Sequence, residues 1–230
     1  LKSILITGIT KGIGLAIAQR FARDSNCHII GCARTAYDLE ILASQYPQFS
    51  LYCCDVANKK ELQKTIEQIL AAYSTIDILV NNAGLFIQAE IHQEEDEIFE
   101  TLMYTNLFSA YYLSKAVVPG MKAQGGGTIV NICSTASTKA YLKGGSYCVS
   151  KFGLLGLSKV MRQELIPYNI RVIAVLPGAT LTPSWQGTTL PSERFMRPED
   201  VAEMVWAACQ LPANCVIEEI TLRPLQGDLD

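Results

Sequence analysis

Ile4-Leu5-Ile6-Thr7-Gly8-Ile9-Thr10-Lys11-Gly12-Ile13-Gly14 is the stretch on which the fold turns. A short β-branched run leads into glycines spaced G-x-x-x-G-x-G, and a helical period begins at Gly12. Positions without a side chain let the backbone turn tightly and approach a ligand closely, and a helix N-terminus favours negative charge. The stretch therefore predicts a first strand, a turn able to hold a pyrophosphate, and a first helix. The spacing differs from the common G-x-G-x-x-G fingerprint, and the G-x-x-x-x-G-K-[ST] phosphate loop is absent. By itself it is also compatible with an ordinary strand-to-helix turn.

Outward from this turn, short apolar runs alternate with longer stretches of helical period. Strands are expected at 4–7, 28–32, 50–54, 76–81, 128–133, 170–176 and 216–222. Helices are expected at 12–25, 36–45, from the cap Asn58 to about Tyr73, from about Glu94 to Met121, at 146–166, and at 199–210 behind Pro198. Strand–helix alternation means an α/β fold, a doubly wound parallel sheet of the Rossmann type, with about seven strands and helices on both faces. Ile78–Val80 and Val172–Leu176 are continuously apolar, as strands covered on both sides must be. One domain spans 1–230, with no linker or repeat. The irregular segment 177–198, rich in Thr, Pro and Ser, is expected to form a substrate lid.

The chain has 230 residues, 49% of them hydrophobic and 18% charged, enough to bury a core without disulfides. Its net charge is −3 and it has no stretch of five or six like charges, which argues against a nucleic-acid surface or an anionic-membrane anchor. No apolar run approaches the roughly eighteen residues of a membrane span. The N-terminus lacks a signal-peptide pattern, so a reduced, cytoplasmic protein is expected. Eight cysteines include no C-x-x-C pair, and most sit in apolar runs as small hydrophobes. His28 and His92, the only histidines, are far apart, so neither a metal site nor a Ser-His-Asp triad is expected.

The second strand ends Gly31-Cys32-Ala33-Arg34-Thr35. A carboxylate at this point would hold a ribose 2′-hydroxyl, whereas an arginine suits a 2′-phosphate. Arg34, supported by Lys11, favours NADP over NAD. Tyr147 and Lys151 lie four apart on a helix and share a face. At an effective dielectric near 20, an ammonium about 4 Å away could favour the phenolate by roughly 4 kcal/mol. A phenol with a pKa of about 10 would then come within reach of proton transfer near neutrality.

Taken in order, these motifs resemble the short-chain dehydrogenase/reductases. The resemblance rests on Thr7–Gly14, Asp55-Val56, Asn81-Asn82-Ala83-Gly84, Asn106, Ser134, Tyr147–Lys151 and Pro177-Gly178, with Ser134 thirteen residues before Tyr147. It implies that Tyr147 is the general acid, that Ser134 holds the substrate oxygen, and that Lys151 binds the nicotinamide ribose and lowers the tyrosine pKa. Asn106 would support a water leading from the lysine to solvent. Gly8, Lys11, Gly12, Ile13 and Gly14 would surround the pyrophosphate, and Arg34 the 2′-phosphate. Asp55 and Val56 would meet the adenine, and Asn82, Ala83 and Gly84 the adenosine ribose. Pro177, Gly178, Thr180 and Thr182 would border the nicotinamide. Each has a plainer alternative: Asp55 could cap a helix, the Asn-Asn-Ala-Gly stretch could be a turn, and Asn106 could satisfy a buried neighbour.

The implied activity is NADPH-dependent reduction of a carbonyl on a small molecule. An NADP(H)-binding regulatory protein without turnover is the alternative, and a sugar-nucleotide epimerase is disfavoured by the short chain. The lid is short for the family, and Glu218–Pro224 lacks the Gly-Gly segment of many oxoacyl-carrier-protein reductases, so the substrate site is expected to be relatively open. Apolar residues surround most of the helical segment 98–118, the Tyr147 helix carries a second apolar face, and Met204, Val205 and Trp206 add another. This pattern predicts a homodimer or homotetramer.

Overall fold

The structure, a computed structural model, describes residues 1–229. Seven strands, β1 (Lys2–Thr7), β2 (Cys27–Ala33), β3 (Ser50–Cys53), β4 (Ile78–Asn81), β5 (Gly127–Ile132), β6 (Ile170–Pro177) and β7 (Glu219–Leu222), form one parallel sheet in the order β3-β2-β1-β4-β5-β6-β7. The chain winds outward in one direction from β1 to β3, then crosses to β4 and winds the other way. Strand order therefore reverses between β1 and β4, which pair with Ile4 opposite Ile78 and Ile6 opposite Val80. In such a sheet the crevice beyond the carboxyl ends of these two strands is where ligands bind.

Side chains alternate across each strand, so both faces of the sheet need cover. Ile4, Ile6 and Val80 pack with Ile17, Phe21 and Val205 from α1 (Gly12–Phe21) and the C-terminal α7 (Pro198–Gln210). On the same side lies α2 (Ala36–Gln45), through Leu39 and Leu42. Leu5, Leu79 and Ile129 face the other way. They meet Ile66 of α3 (Lys59–Tyr73), Val117 of α5 (Ser109–Ala123) and Met161 of α6 (Gly145–Leu165), while α4 (Asp96–Met103) runs into α5. This is the doubly wound Rossmann sheet expected from the alternation. Asn58 caps α3 as expected, its Oδ1 accepting from Lys60 N at 3.1 Å and Glu61 N at 3.3 Å.

Several element boundaries differ from expectation. Helix α1 ends at Phe21, not near 25, because Asp24 closes a turn: its Oδ1 accepts from Asn26 N, and its carbonyl accepts from Cys27 N as β2 begins. Strand β4 starts at Ile78, since Asp77 is engaged with Ser3, whose N–H donates to its carboxylate at 2.7 Å. Strand β7 starts at Glu219. The segment read as one helix over 94–121 is two helices joined by a π-helical turn, Tyr104–Phe108, with Asn106 inside it. Hydrophobic period alone does not reveal the extra residue of a π turn.

All eight cysteines are free. Five are buried and Cys27 is half-buried, in line with most being small core hydrophobes, while Cys53 and Cys215 are exposed. Among the described residues no helix is long and apolar enough to cross a membrane, and no group of three His, Cys, Asp or Glu side chains could hold a metal.

Candidate active site

A cleft of about 1020 Å³ opens at the carboxyl ends of the central strands. At one end it is lined by Gly8, Lys11, Gly12 and Ile13 of the glycine-rich turn, with Arg34, Asp55 and Val56 beside them. Asn82, Ala83 and Gly84 form its middle, and Ser134, Tyr147 and Lys151 the other end, bordered by Pro177, Gly178, Thr180 and Thr182. The sequence-predicted residues thus converge on one cavity, with two exceptions. Gly14 and Asn106 lie behind the wall.

The glycines earn their places differently. Gly8 and Gly12 have φ of +69° and +58°, a left-handed backbone that side chains disfavour. Gly14 is needed for close packing: a Cβ there would overlap the Gly8 carbonyl oxygen and the Asn82 amide. The helix behind the turn has no side-chain cap, and its first residues, Gly12 and Ile13, line the cleft. Asn82 ties the turn to the end of β4. Its Nδ2 donates to Thr7 O at 2.8 Å and Gly8 O at 3.2 Å, while Thr7 Oγ1 accepts from Asn82 N and Ala83 N. The Asn82 Nδ2 group is therefore committed to shaping the turn.

Arg34 is exposed at the glycine-turn end of the cleft and, among the described residues, forms no ion pair. Sequence reading noted no acid at this point, yet Asp38, one turn along in α2, lines the same end. Asp55 has a local task as well: its Oδ1 accepts from Ala57 N at 3.0 Å, forming a turn ahead of α3.

The other end carries the candidate proton-transfer residues. Tyr147 and Lys151 sit one turn apart on α6, and Ser134 sits where β5 leads into a short 3-10 turn, Thr135–Ser137. Lys151 is buried, its Nζ donating to Ile132 O at 2.9 Å and lying 5.9 Å from the Tyr147 ring centroid. Burial drives its ammonium down to about 8. The Tyr147 phenol is pushed up to about 12, chiefly by burial, with the nearby Ser134 hydroxyl opposing the rise. This reverses the expectation that the lysine would lower the phenol's pKa. The ammonium is turned to a backbone carbonyl, and loss of water around the phenolate outweighs any attraction. Tyr147 is therefore a protonated hydrogen-bond donor at neutral pH.

Asn106 is spent inside the protein. Its Oδ1 accepts from Leu85 N at 2.8 Å, and its Nδ2 donates to Leu85 O at 3.0 Å and Ser150 Oγ at 2.9 Å. Both Nδ2 hydrogens are therefore used within the protein, so support of a water near Lys151 would fall to an acceptor of this residue, the second lone pair of Oδ1 or the backbone carbonyl. It joins the segment after β4 to α6.

Sequence reading missed an aromatic wall. Phe86 meets Tyr147 edge-on at 4.8 Å, Trp185 lies 6.3 Å from Phe86, and Phe195 meets Trp185 at 4.9 Å. Trp185 lies in the irregular 177–198 segment, and Phe86 follows the Asn-Asn-Ala-Gly stretch with no periodic signal of its own. The segment bearing Trp185 is stapled at its base, where Leu181 N donates to Met196 O and Met196 N to Ala179 O. Asp228 and Leu229 of the C-terminal tail also line the cleft.

The family model described as "short chain dehydrogenase" matches residues 2–191. The chain belongs to the short-chain dehydrogenase family. Among members of this family, it is 36% identical to a sepiapterin reductase of Chlorobaculum tepidum, over 98% of this chain and 97% of the relative. It is 32% identical to an NADP-dependent 3-hydroxy acid dehydrogenase of Shigella flexneri, over 96% of this chain and 94% of the relative. Among solved short-chain dehydrogenases and similar folds, an alcohol dehydrogenase from Thermococcus sibiricus complexed with 5-hydroxy-NADP superposes with a TM-score of 0.90 at 27% identity, covering 100% and 99% of the two chains. An L-sorbose reductase from Gluconobacter frateurii complexed with NADPH and L-sorbose gives 0.87 at 29% identity, covering 97% and 95%.

Proposed function

We propose that this short-chain dehydrogenase reduces a carbonyl on a small molecule to the alcohol with NADPH, Tyr147 giving the proton. The observation that carries the reading is one continuous cleft with a left-handed glycine turn at one end and a half-buried, protonated phenol beside a buried lysine at the other. The residues fit a dinucleotide: Gly8 and Gly12 leave a cradle without side chains, and the uncapped α1 presents N–H groups to a pyrophosphate. Arg34 and Lys11 supply cations for a 2′-phosphate, in keeping with relatives and solved neighbours whose names specify NADP or NADPH. The bound nicotinamide would supply the hydride.

The protein's own residues do the rest. Ser134 and Tyr147 donate hydrogen bonds to the carbonyl oxygen, polarising it where negative charge develops. Tyr147 then passes its proton to that oxygen, and Lys151, protonated below about pH 8, stabilises the phenolate left behind. The 177–198 segment acts as the lid, with Trp185 and Phe86 excluding water from Tyr147.

The reading includes self-association. Phe99, Tyr104 and Tyr111 on the α4–α5 segment and Phe152 and Val160 on α6 are exposed, a second apolar face beyond what the sheet covers. It also includes a reducing, cytoplasmic setting, in line with eight free thiols.

The test follows NADPH absorbance against ketones, aldehydes, diketones, hydroxyketones and oxoacyl thioesters. Turnover of one class supports the reading. Tight NADPH binding with no turnover across the panel overturns it in favour of a regulatory NADP(H)-binding protein.

A further inference from the structure

Helix α6 carries Tyr147 in its first turn, yet no side chain at its own N-terminus caps it. The cap comes from 52 residues upstream. Glu94, just past a short 3-10 turn (Ile91–Gln93), receives a hydrogen bond from Ser146 N to Oε1 at 2.9 Å and a second from Ser146 Oγ to Oε2. Ser146 is buried. The backbone is shaped to admit the carboxylate: Gly145 has φ +35°, and a Cβ there would overlap Glu94 Oε1 and crowd Ala89 O. Ala89 N donates to Lys143 O at 3.0 Å, so the same segment is stitched to the approach of α6 as well.

The other end of this segment is also fixed to α6. Asn106 holds both backbone groups of Leu85 and donates to Ser150 Oγ, which in turn donates to the Tyr147 carbonyl at 2.7 Å. Residues 85–94 are thus pinned to α6 at Ser146 and Ser150, on either side of Tyr147. Between the pins stands Phe86, packed edge-on against the Tyr147 ring.

We infer that Glu94 is a positioning residue for Tyr147. A carboxylate at a helix N-terminus satisfies N–H groups that would otherwise lack partners and complements the helix dipole. Here it also fixes the first turn of α6 against the Phe86 wall, setting where the phenol points. Glu94 touches neither Tyr147 nor the cleft, so it acts through Ser146. The catalytic consequence rests on the proposed reductase reading; the tether does not.

The experiment compares wild type, Glu94→Gln and Glu94→Ala on two readouts. Misplacing a reacting group by about 1 Å costs up to about a hundredfold in rate. Glu94→Ala should therefore lower kcat by about ten- to a hundredfold with NADPH affinity unchanged, and Glu94→Gln, which keeps an acceptor for Ser146 N, should recover most of it. Deuterium uptake across residues 143–150 should rise in Glu94→Ala while the sheet strands stay protected. A kcat for Glu94→Ala within twofold of wild type, or a loss confined to NADPH affinity, overturns the positioning role. Should wild type reduce nothing, the reductase reading falls and uptake alone decides the tether: faster exchange at 143–150 upholds it, and unchanged exchange refutes it.

Discussion

Replacing Lys151 by methionine keeps the length of the side chain and removes a buried ammonium. In the folded protein burial lowers this group from 10.5 to about 8. Between those values the unfolded chain binds more protons than the folded one, so the Lys151 contribution makes stability rise with pH. The penalty is fully present below about pH 8 and is gone above about 10.5. At about 1.36 kcal/mol per pKa unit it amounts to about 3 kcal/mol at pH 7, of which linkage returns about 1.3 kcal/mol by pH 9. Urea unfolding, followed through Trp185 and Trp206, should be measured for both chains at pH 7 and pH 9. Wild-type stability minus variant stability should grow by about 1.3 kcal/mol across that interval. Groups common to both chains cancel, the buried Cys54 and Cys133 thiols among them. A difference that stays flat, or falls, would refute the claim that Lys151 is held as a desolvated cation.

Other consequences are open to direct measurement. Arg34→Ala should weaken NADPH binding by at least tenfold, about 1.4 kcal/mol, and leave NADH nearly unchanged; equal losses in titration calorimetry would remove the 2′-phosphate argument. Gly14→Ala forces a Cβ into the backbone of Gly8, which has no flexible side chain to give way. It should cost about 1–3 kcal/mol in urea unfolding and weaken NADPH binding, and a neutral result would mean the turn is looser than described. Reduction should hold steady below pH 8 and fall above it as the Lys151 ammonium is lost. A kcat profile rising through that interval would contradict the role given to the ammonium.

The sheet was legible because both of its faces are buried, which leaves continuous apolar runs such as Ile78–Val80 between helical periods. The cleft was legible wherever backbone geometry demands glycine, as at Gly8 and Gly12, and where two polar residues share one helix face, as do Tyr147 and Lys151. What stayed hidden depends on distant contacts. The π turn at Asn106 preserves the hydrophobic pattern on both sides of it, so sequence periodicity passes straight through. Asn106 and Asn82 were read as facing ligands, but their amides are consumed by Leu85, Ser150 and the Thr7–Gly8 backbone. The direction of the Tyr147 shift could not be read from spacing, because spacing gives the distance to a charge and says nothing of the water that burial removes. Glu94 lies 52 residues from its partner in a run of acids that reads as a solvated surface.

The central claim is that the phenol of Tyr147 delivers the proton in an NADPH-dependent reduction. Tyr147→Phe keeps the ring against Phe86 and deletes only the hydroxyl. With a substrate found on the carbonyl panel, the variant's kcat should fall by at least a thousandfold, about 4 kcal/mol of barrier, while the Kd for NADPH stays within twofold. Turnover within tenfold of wild type at unchanged NADPH affinity would contradict the account.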